Sequence, residues 1–458
     1  MDVRETIITT LAGVEDHLRK LERPQETFAL LTDYSHLTTL ASDGAQIWTT
    51  AFQQALLENA CLRIPASPEP YWIDKTVVIP SGRTIFAEDG AVIRQREGVR
   101  VLMFRNAHPV DGTHLQPDQT HPDRDICIIG GRWEESYTQR VGYRGSGRYD
   151  ETEAFYGVGA SFLFNNLENL CLRNMTIVQA AGFAFQLGQV RNVLIEHITF
   201  VSCFGDGVHV GGNSSNLVIR DIRGQVGDDL VAFNAYDWLN SSVTFGPIDC
   251  ALCETLRPGD DGHYKAMRIL SGIYTFDDGA QVDCATNNLI IRDVRNIDAF
   301  KLYLQTPAYE LGTEPEAGGV GSGCNLFFED MELDLRQPAD KLAPYMESDP
   351  VRGNFAAFEI NSNLKNIHFR NIAVKLYKDR FPLSWFAVVG PKSVVRNGCE
   401  LFDPYFSSET NGVYFRDIAI NGKPVADLSA YITEVSFADV NADGNSTGAG
   451  VVKNILPE

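Results

Sequence analysis

Hydrophobic and polar positions alternate with period two in short runs along most of the chain, and one run keeps returning. It reads Asn, an apolar-rich stretch, a polar pair, then apolar again: ENLCLRNMTI (168–177), RNVLIEHITF (191–200), SNLVIRDIRG (215–224), NNLIIRDVRN (287–296), CNLFFEDMEL (324–333) and KNIHFRNIAV (365–374). DRDICIIGGRW (123–133) opens the series with Asp in place of Asn, and NGVYFRDIAI (411–420) closes it. Such alternation marks half-buried strands. Asn169 to Asn192 is 23 residues and Asn192 to Asn216 is 24; later spacings of 72, 37, 41 and about 45 require insertions. A period in the low twenties that carries only short strands is a solenoid signature. A leucine-rich repeat would need a regular Leu skeleton and a helical return, and the sequence has neither. The expected fold class is therefore all-β: a single right-handed parallel β-helix. Its rungs would stack about 4.8 Å apart, so Asn169, Asn192 and Asn216 should form an amide ladder. Cys127 and Cys171, each two residues after the ladder position, should stack inside the core.

A β-helix must cover its open ends. Residues 41–60 predict a helical cap, with Ser42 or Asp43 before the helix and Ile47, Phe52, Leu56 and Leu57 on one face. Residues 1–40 are read as a helical extension of one or two amphipathic helices, and 41–458 as the β-helix. The extension could pack on the coil, shield a cleft or make a homo-oligomer, and its sequence does not choose.

Composition then narrows the function. The chain has 458 residues, 44% of them hydrophobic, and a net charge of −21, which weighs against nucleic acid because phosphate binding needs clustered Lys and Arg. No run is long and apolar enough for a membrane span. The N-terminus carries charges every few residues and no apolar signal core, so a cytoplasmic location is expected. Cys250 and Cys253 form the one CxxC among nine cysteines, with no His or Cys cluster beside it, so no zinc site and no other metal is expected.

The candidate chemistry lies where glycine-marked turns enter apolar strands. FGDGVHV (204–210) and VGDDLVAF (226–233) match with Gly205 over Gly227, which sets Asp206 beside Asp228 and puts Asp229 in the neighbouring column. DGHYKAMRIL (261–270) adds His263 and Tyr264. Lys301, thirteen residues after Asn288 as Asp229 is after Asn216, is expected in the column of Asp229. His209, Asp237, Trp238 and Tyr303 complete a candidate substrate-binding set. Asp-Gly pairs also make ordinary turns, and a His, Lys or Trp on an alternating strand can equally be surface or core. Two adjacent acids entering LVAF are harder to explain that way. Glycosidic hydrolysis needs one carboxylic acid to protonate the leaving oxygen and a second carboxylate to activate water or attack carbon. Crowded carboxylates supply both states, because each raises the pKa of the other.

Over residues 41–425 the sequence resembles the polygalacturonase family of glycoside hydrolases, within the pectin-lyase fold. FGDG resembles the family's NTDG, VGDDLVAFNA its GDDCIAI, DGHYKAMRI its GHGISIG, and DAFKLYL stands where NGVRIKTW would be. The resemblance implies catalysis by Asp206, Asp228 and Asp229 with His263 nearby, inverting hydrolysis, a carbohydrate substrate and no metal or organic cofactor. Asn-Thr has become Phe204-Gly205, the second Gly of GHG is Tyr264, and RIK is reduced to Lys301 with Tyr303. With the net charge of −21, these departures extend the expected substrates to neutral glycans. Three readings compete with it. One is a retaining glycosidase resembling the lacto-N-biosidases. Another is a lyase or epimerase, which would use Ca²⁺ or several Arg, and no Arg-rich column is read in the strands. The last is a non-catalytic glycan-binding solenoid.

Overall fold

A computed structural model describes residues 2–22, 28–99, 101–110, 121–135, 160–237, 242–259, 266–303, 318–336, 355–379, 384–390, 393–396, 399–402, 406–434, 436–437 and 448–458. It is a right-handed parallel β-helix, with strands of each coil pairing in parallel with those of the next. The long strand Phe183–Val201 pairs with Ser214–Gly224, which pairs with Ile248–Pro258, and so along the axis through Thr286–Val294, Ser322–Asp334, Asn363–Lys375 and Ser408–Ile420. Beside this stack runs a second wall of shorter strands: Val208–Gly211, Val231–Asn234, Ala266–Leu270, Ala299–Tyr303, Phe355–Asn361 and Ser384–Val389.

The repeated Asn is a corner as well as a ladder. Asn169, Asn192, Asn216, Asn288, Asn325 and Asn366 all have φ between 55 and 66°, and a second corner follows five residues later at Asn174, His197, Asp221, Asp293, Asp330 and Asn371. Left-handed backbone is costly for most L-residues and least so for Asn and Asp, whose short polar side chains bond locally. The polar pair in each repeat is thus where the coil turns. Asn192 Nδ2 donates to Asn169 Oδ1 and Asn216 Nδ2 to Asn192 Oδ1, both at 2.9 Å. The ladder breaks at Cys250, where Asn288 donates instead to Asp249 Oδ1.

Inside the coil lies one continuous apolar core with stacked aromatics, among them Phe300 on Phe358 at 5.2 Å. Cys127 and Cys171 do pair in register, but outside that core: with Leu194, Val218 and Phe327 they form a second cluster under the N-terminal helix. This helix, α1 (Val3–Arg19), is capped by Asp2 and buries Ile7, Leu11 and Leu18 against that outer column. Each such side chain contributes about 1.5–3 kcal/mol when fully buried. Packing on the coil, one of the three roles open to residues 1–40, is seen for α1.

The end cap is α2 (Thr49–Glu58), shorter than the sequence implied. Ile47 pairs with Trp72 in the sheet, so the helix starts at Thr49, with Trp48 at its N-cap. Phe52 and Leu56 plug the core, whereas Leu57 is exposed. Asp43, expected as a possible helix cap, bonds Arg96 instead. Among the described residues no helix is long and apolar enough to cross a membrane.

Candidate active site

The three aspartates meet across a single rung step. Asp228 N–H donates to Gly205 O and Val208 pairs with Val231, 23 residues apart in each case. The same step carries the Asp229 N–H to Asp206 Oδ1, with Asp228 its neighbour in the chain. Glycine permits the close approach: a Cβ on Gly205 would meet Gly182 O at 2.4 Å, and one on Gly227 would meet Phe204 O at 2.5 Å. One carboxylate oxygen from each aspartate lies within 4.8 Å of the others, and all three residues are buried.

Each acid is held differently. Asp206 Oδ1 accepts the Asp229 N–H at 3.1 Å, and its Oδ2 lies 2.7 Å from His209 Nδ1. His209 is stacked on Phe183, ring centroids 4.1 Å apart, and its Nε2 faces Asp237 Oδ2 at 3.5 Å. Asp237 accepts from Asn234 Nδ2 at 3.0 Å. Arg268 Nη1 donates to both Asp228 Oδ1 at 2.7 Å and Asp229 Oδ2 at 3.0 Å. Asp229 Oδ1 has no hydrogen-bond partner among the described residues.

Burial raises the pKa of Asp206; the His209 hydrogen bond opposes this, and the charge of Asp228 adds to it. Asp229 is raised well above the usual carboxylate range, again first by burial; Arg268 opposes the shift, and Asp206 and Asp228 reinforce it. Such a set holds a proton on one carboxyl while a neighbour stays ionised. It could also offer three oxygens to a cation, but the Arg268 guanidinium already bridges two of the carboxylates.

Arg268 is the member of this cluster that sequence reasoning missed. The signal was present: an Arg between Met267 and Ile269 on an alternating strand, in phase with His209 and Lys301. Strand pairing also moves Lys301. It stacks on Arg268 and, beyond it, on Glu359, not in the column of Asp229. Counting from the ladder Asn failed because the two coils differ in length between that corner and the wall. Lys301 is buried with Nζ 3.8 Å from Glu359 Oε2, and its charge still acts to lower Asp229. The wall therefore carries Arg268 and Lys301 in one column, where the sequence reading had placed Lys301 alone. Tyr303 lies farther along, paired with Asn361. Trp238, His263 and Tyr264 lie outside the described residues.

The exopolygalacturonase of Thermotoga maritima aligns over 98% of this chain and 96% of its own with a TM-score of 0.54 at 12% identity. The chain is folded like a polygalacturonase. The family 28 exopolygalacturonase of Yersinia enterocolitica aligns with a TM-score of 0.45 at 12% identity, covering 95% of this chain and 78% of its own. The Streptococcus pneumoniae surface protein and adhesin PfbA aligns at 0.37 and 11%, covering 94% and 97%. No family model matches the sequence, and no curated protein does. At such identities the likeness is one of fold, and a fold does not fix a function. The site has to carry that argument.

Proposed function

We propose that the protein is a glycoside hydrolase that cleaves a poly- or oligosaccharide with Asp228 and Asp229, Asp206 completing the set. The observation that carries this is the convergence of three buried carboxylates from adjacent rungs, two of them on one guanidinium. Asp229, with a raised pKa and an oxygen without a hydrogen-bond partner among the described residues, suits the general acid, and Asp228, against Arg268, its partner carboxylate. Asp206 and His209 hold each other and, through the Asp229 N–H, fix the acid in place. Lys301, Tyr303 and Asp237 stand along the same wall as substrate contacts.

Screening oligosaccharides with anomer detection by NMR tests this reading. Hydrolysis supports it, and the anomer released first tells an inverting course from a retaining one, whereas an eliminated, unsaturated product would show a lyase.

A further inference from the structure

Away from the acids, an open groove of about 730 Å³ runs along the outside of the earlier rungs. Its floor follows a register column: Trp72 pairs with Arg94, which pairs with Glu134, and Gln179 lines its far side. Three rung spacings cover about 14 Å, room for a short oligosaccharide in a volume typical of ligand sites. The floor is rigid, because the guanidiniums of Arg94 and Arg96 lie 5.3 and 5.0 Å from the Trp72 ring centroid. Arg94 is also paired with Glu134, and Arg96 Nη2 with Asp43 Oδ2 at 2.6 Å.

Glu135 marks this groove as more than a surface fold. It is only 2% exposed and lines the groove; Oε2 accepts the Ala181 N–H at 2.6 Å, while Oε1 has no hydrogen-bond partner among the described residues. A buried polar atom left without a partner is costly, and a ligand hydroxyl that reached it would relieve that cost. Burial pushes its pKa up to about 7, so at mildly acidic pH it carries a proton and can donate as well as accept. The charge balance selects the ligand. With Arg94 and Arg96 both matched by carboxylates, Glu69 and Glu97 remain as acids without an ion pair among the described residues, and a uronate would be repelled.

We infer that this groove is a second glycan-binding site, which takes an uncharged oligosaccharide segment through Trp72, Arg94, Arg96 and Glu135. It lies on the approach to the acids: Glu135 bonds the turn at Ala181, and Phe183, two residues on, carries the His209 ring. By register Glu134 matches Val178 and then Val201, so the groove reaches to within two rungs, about 10 Å along the axis, of the coil that carries Asp206. A bound chain would be held there while its other end enters the cleft. The inference rests on the glycan-binding part of the proposed function but not on hydrolysis or the roles of the aspartates.

Calorimetric titration of the full chain with uncharged tetrasaccharides of glucose, xylose and galactose, and with tetragalacturonate, tests it. At least one uncharged tetrasaccharide should bind, tenfold or more weaker in Trp72→Ala and in Glu135→Gln, and with unchanged affinity in Asp229→Asn. Trp72 is on the open wall, so its variant decides the matter if Glu135→Gln fails to fold. The inference is overturned if no uncharged tetrasaccharide binds, if tetragalacturonate binds most tightly, or if binding weakens only in Asp229→Asn. Binding without turnover in the wild type would sink the hydrolase reading and leave the groove standing.

Discussion

Beneath α1, Glu196 meets cations on both oxygens: Arg19 donates to Oε1 and Oε2 at 2.7 Å, and Arg173 Nε to Oε1 at 2.6 Å. In the cleft, Asp229 shares a single guanidinium with Asp228. Both carboxylates are almost fully buried. Burial alone would raise Glu196, but the hydrogen bonds from Arg19 and Arg173 outweigh it and hold the group below its ordinary value. Glu329, between Arg4 and Arg370, behaves the same way. Asp229 goes the other way, because burial and two neighbouring acids outweigh Arg268. Charge buried with enough partners fastens a helix to a coil, whereas charge buried with too few stores an ionisable proton. The direction of the shift separates scaffold from site where burial does not.

The largest effect should come from Asp229→Asn or Asp228→Asn. Loss of a general acid or base costs on the order of 10²–10⁴ in rate, with the fold intact. Stability should respond to pH as well. A carboxyl raised in the folded state binds its proton more tightly there than in the unfolded chain. Its contribution is complete below the unfolded value and is lost as pH rises through the folded one. Asp229→Asn should therefore raise the melting temperature at neutral pH and have little effect near pH 3. A neutral-pH melting temperature at or below that of the wild type would contradict the crowding.

Next in size is Arg268→Met, which leaves two carboxylates facing each other. Removing one partner of a buried pair costs about 3–5 kcal/mol. Acid should recover part of it by protonating the aspartates, as urea denaturation at pH 4 and pH 7 would show. Glu196→Gln should be milder, about 1–3 kcal/mol, because Arg19 is partly exposed. This variant should hydrolyse at the wild-type rate. The stability Glu196 supplies is present above its unfolded pKa and fades as pH falls through the depressed folded one, opposite to Asp229. The smallest change is Asn192→Gly, which keeps the left-handed corner at φ 58° and loses only the ladder bonds, about 1 kcal/mol. Asn192→Ala should cost a further 1–2 kcal/mol or so; equal losses would mean that the backbone conformation is not what the Asn provides.

Much of this was legible before any coordinates. The Asn period announced the coil, since stacking repeats a side chain at each rung, and the Gly-Asp pairing brought Asp206 to Asp228 and Asp229. What stayed hidden depends on register inside coils of unequal length. Lys301 and Arg268 share a column only once the insertions are placed, and an Arg flanked by Met267 and Ile269 reads as a solvated face until its partner rung is known. The docking of α1 was illegible for another reason. Its cations find Glu196 and Glu329 from far along the chain, and no local pattern encodes such a match.

The most direct test of the central claim compares initial hydrolysis rates of wild type, Asp206→Asn, Asp228→Asn, Asp229→Asn and Glu196→Gln on the best substrate from the oligosaccharide screen. The account predicts rates reduced on the order of 10²-fold or more for Asp228→Asn and Asp229→Asn, a smaller loss for Asp206→Asn, and full activity for Glu196→Gln. Near wild-type rates in all three aspartate variants would contradict it.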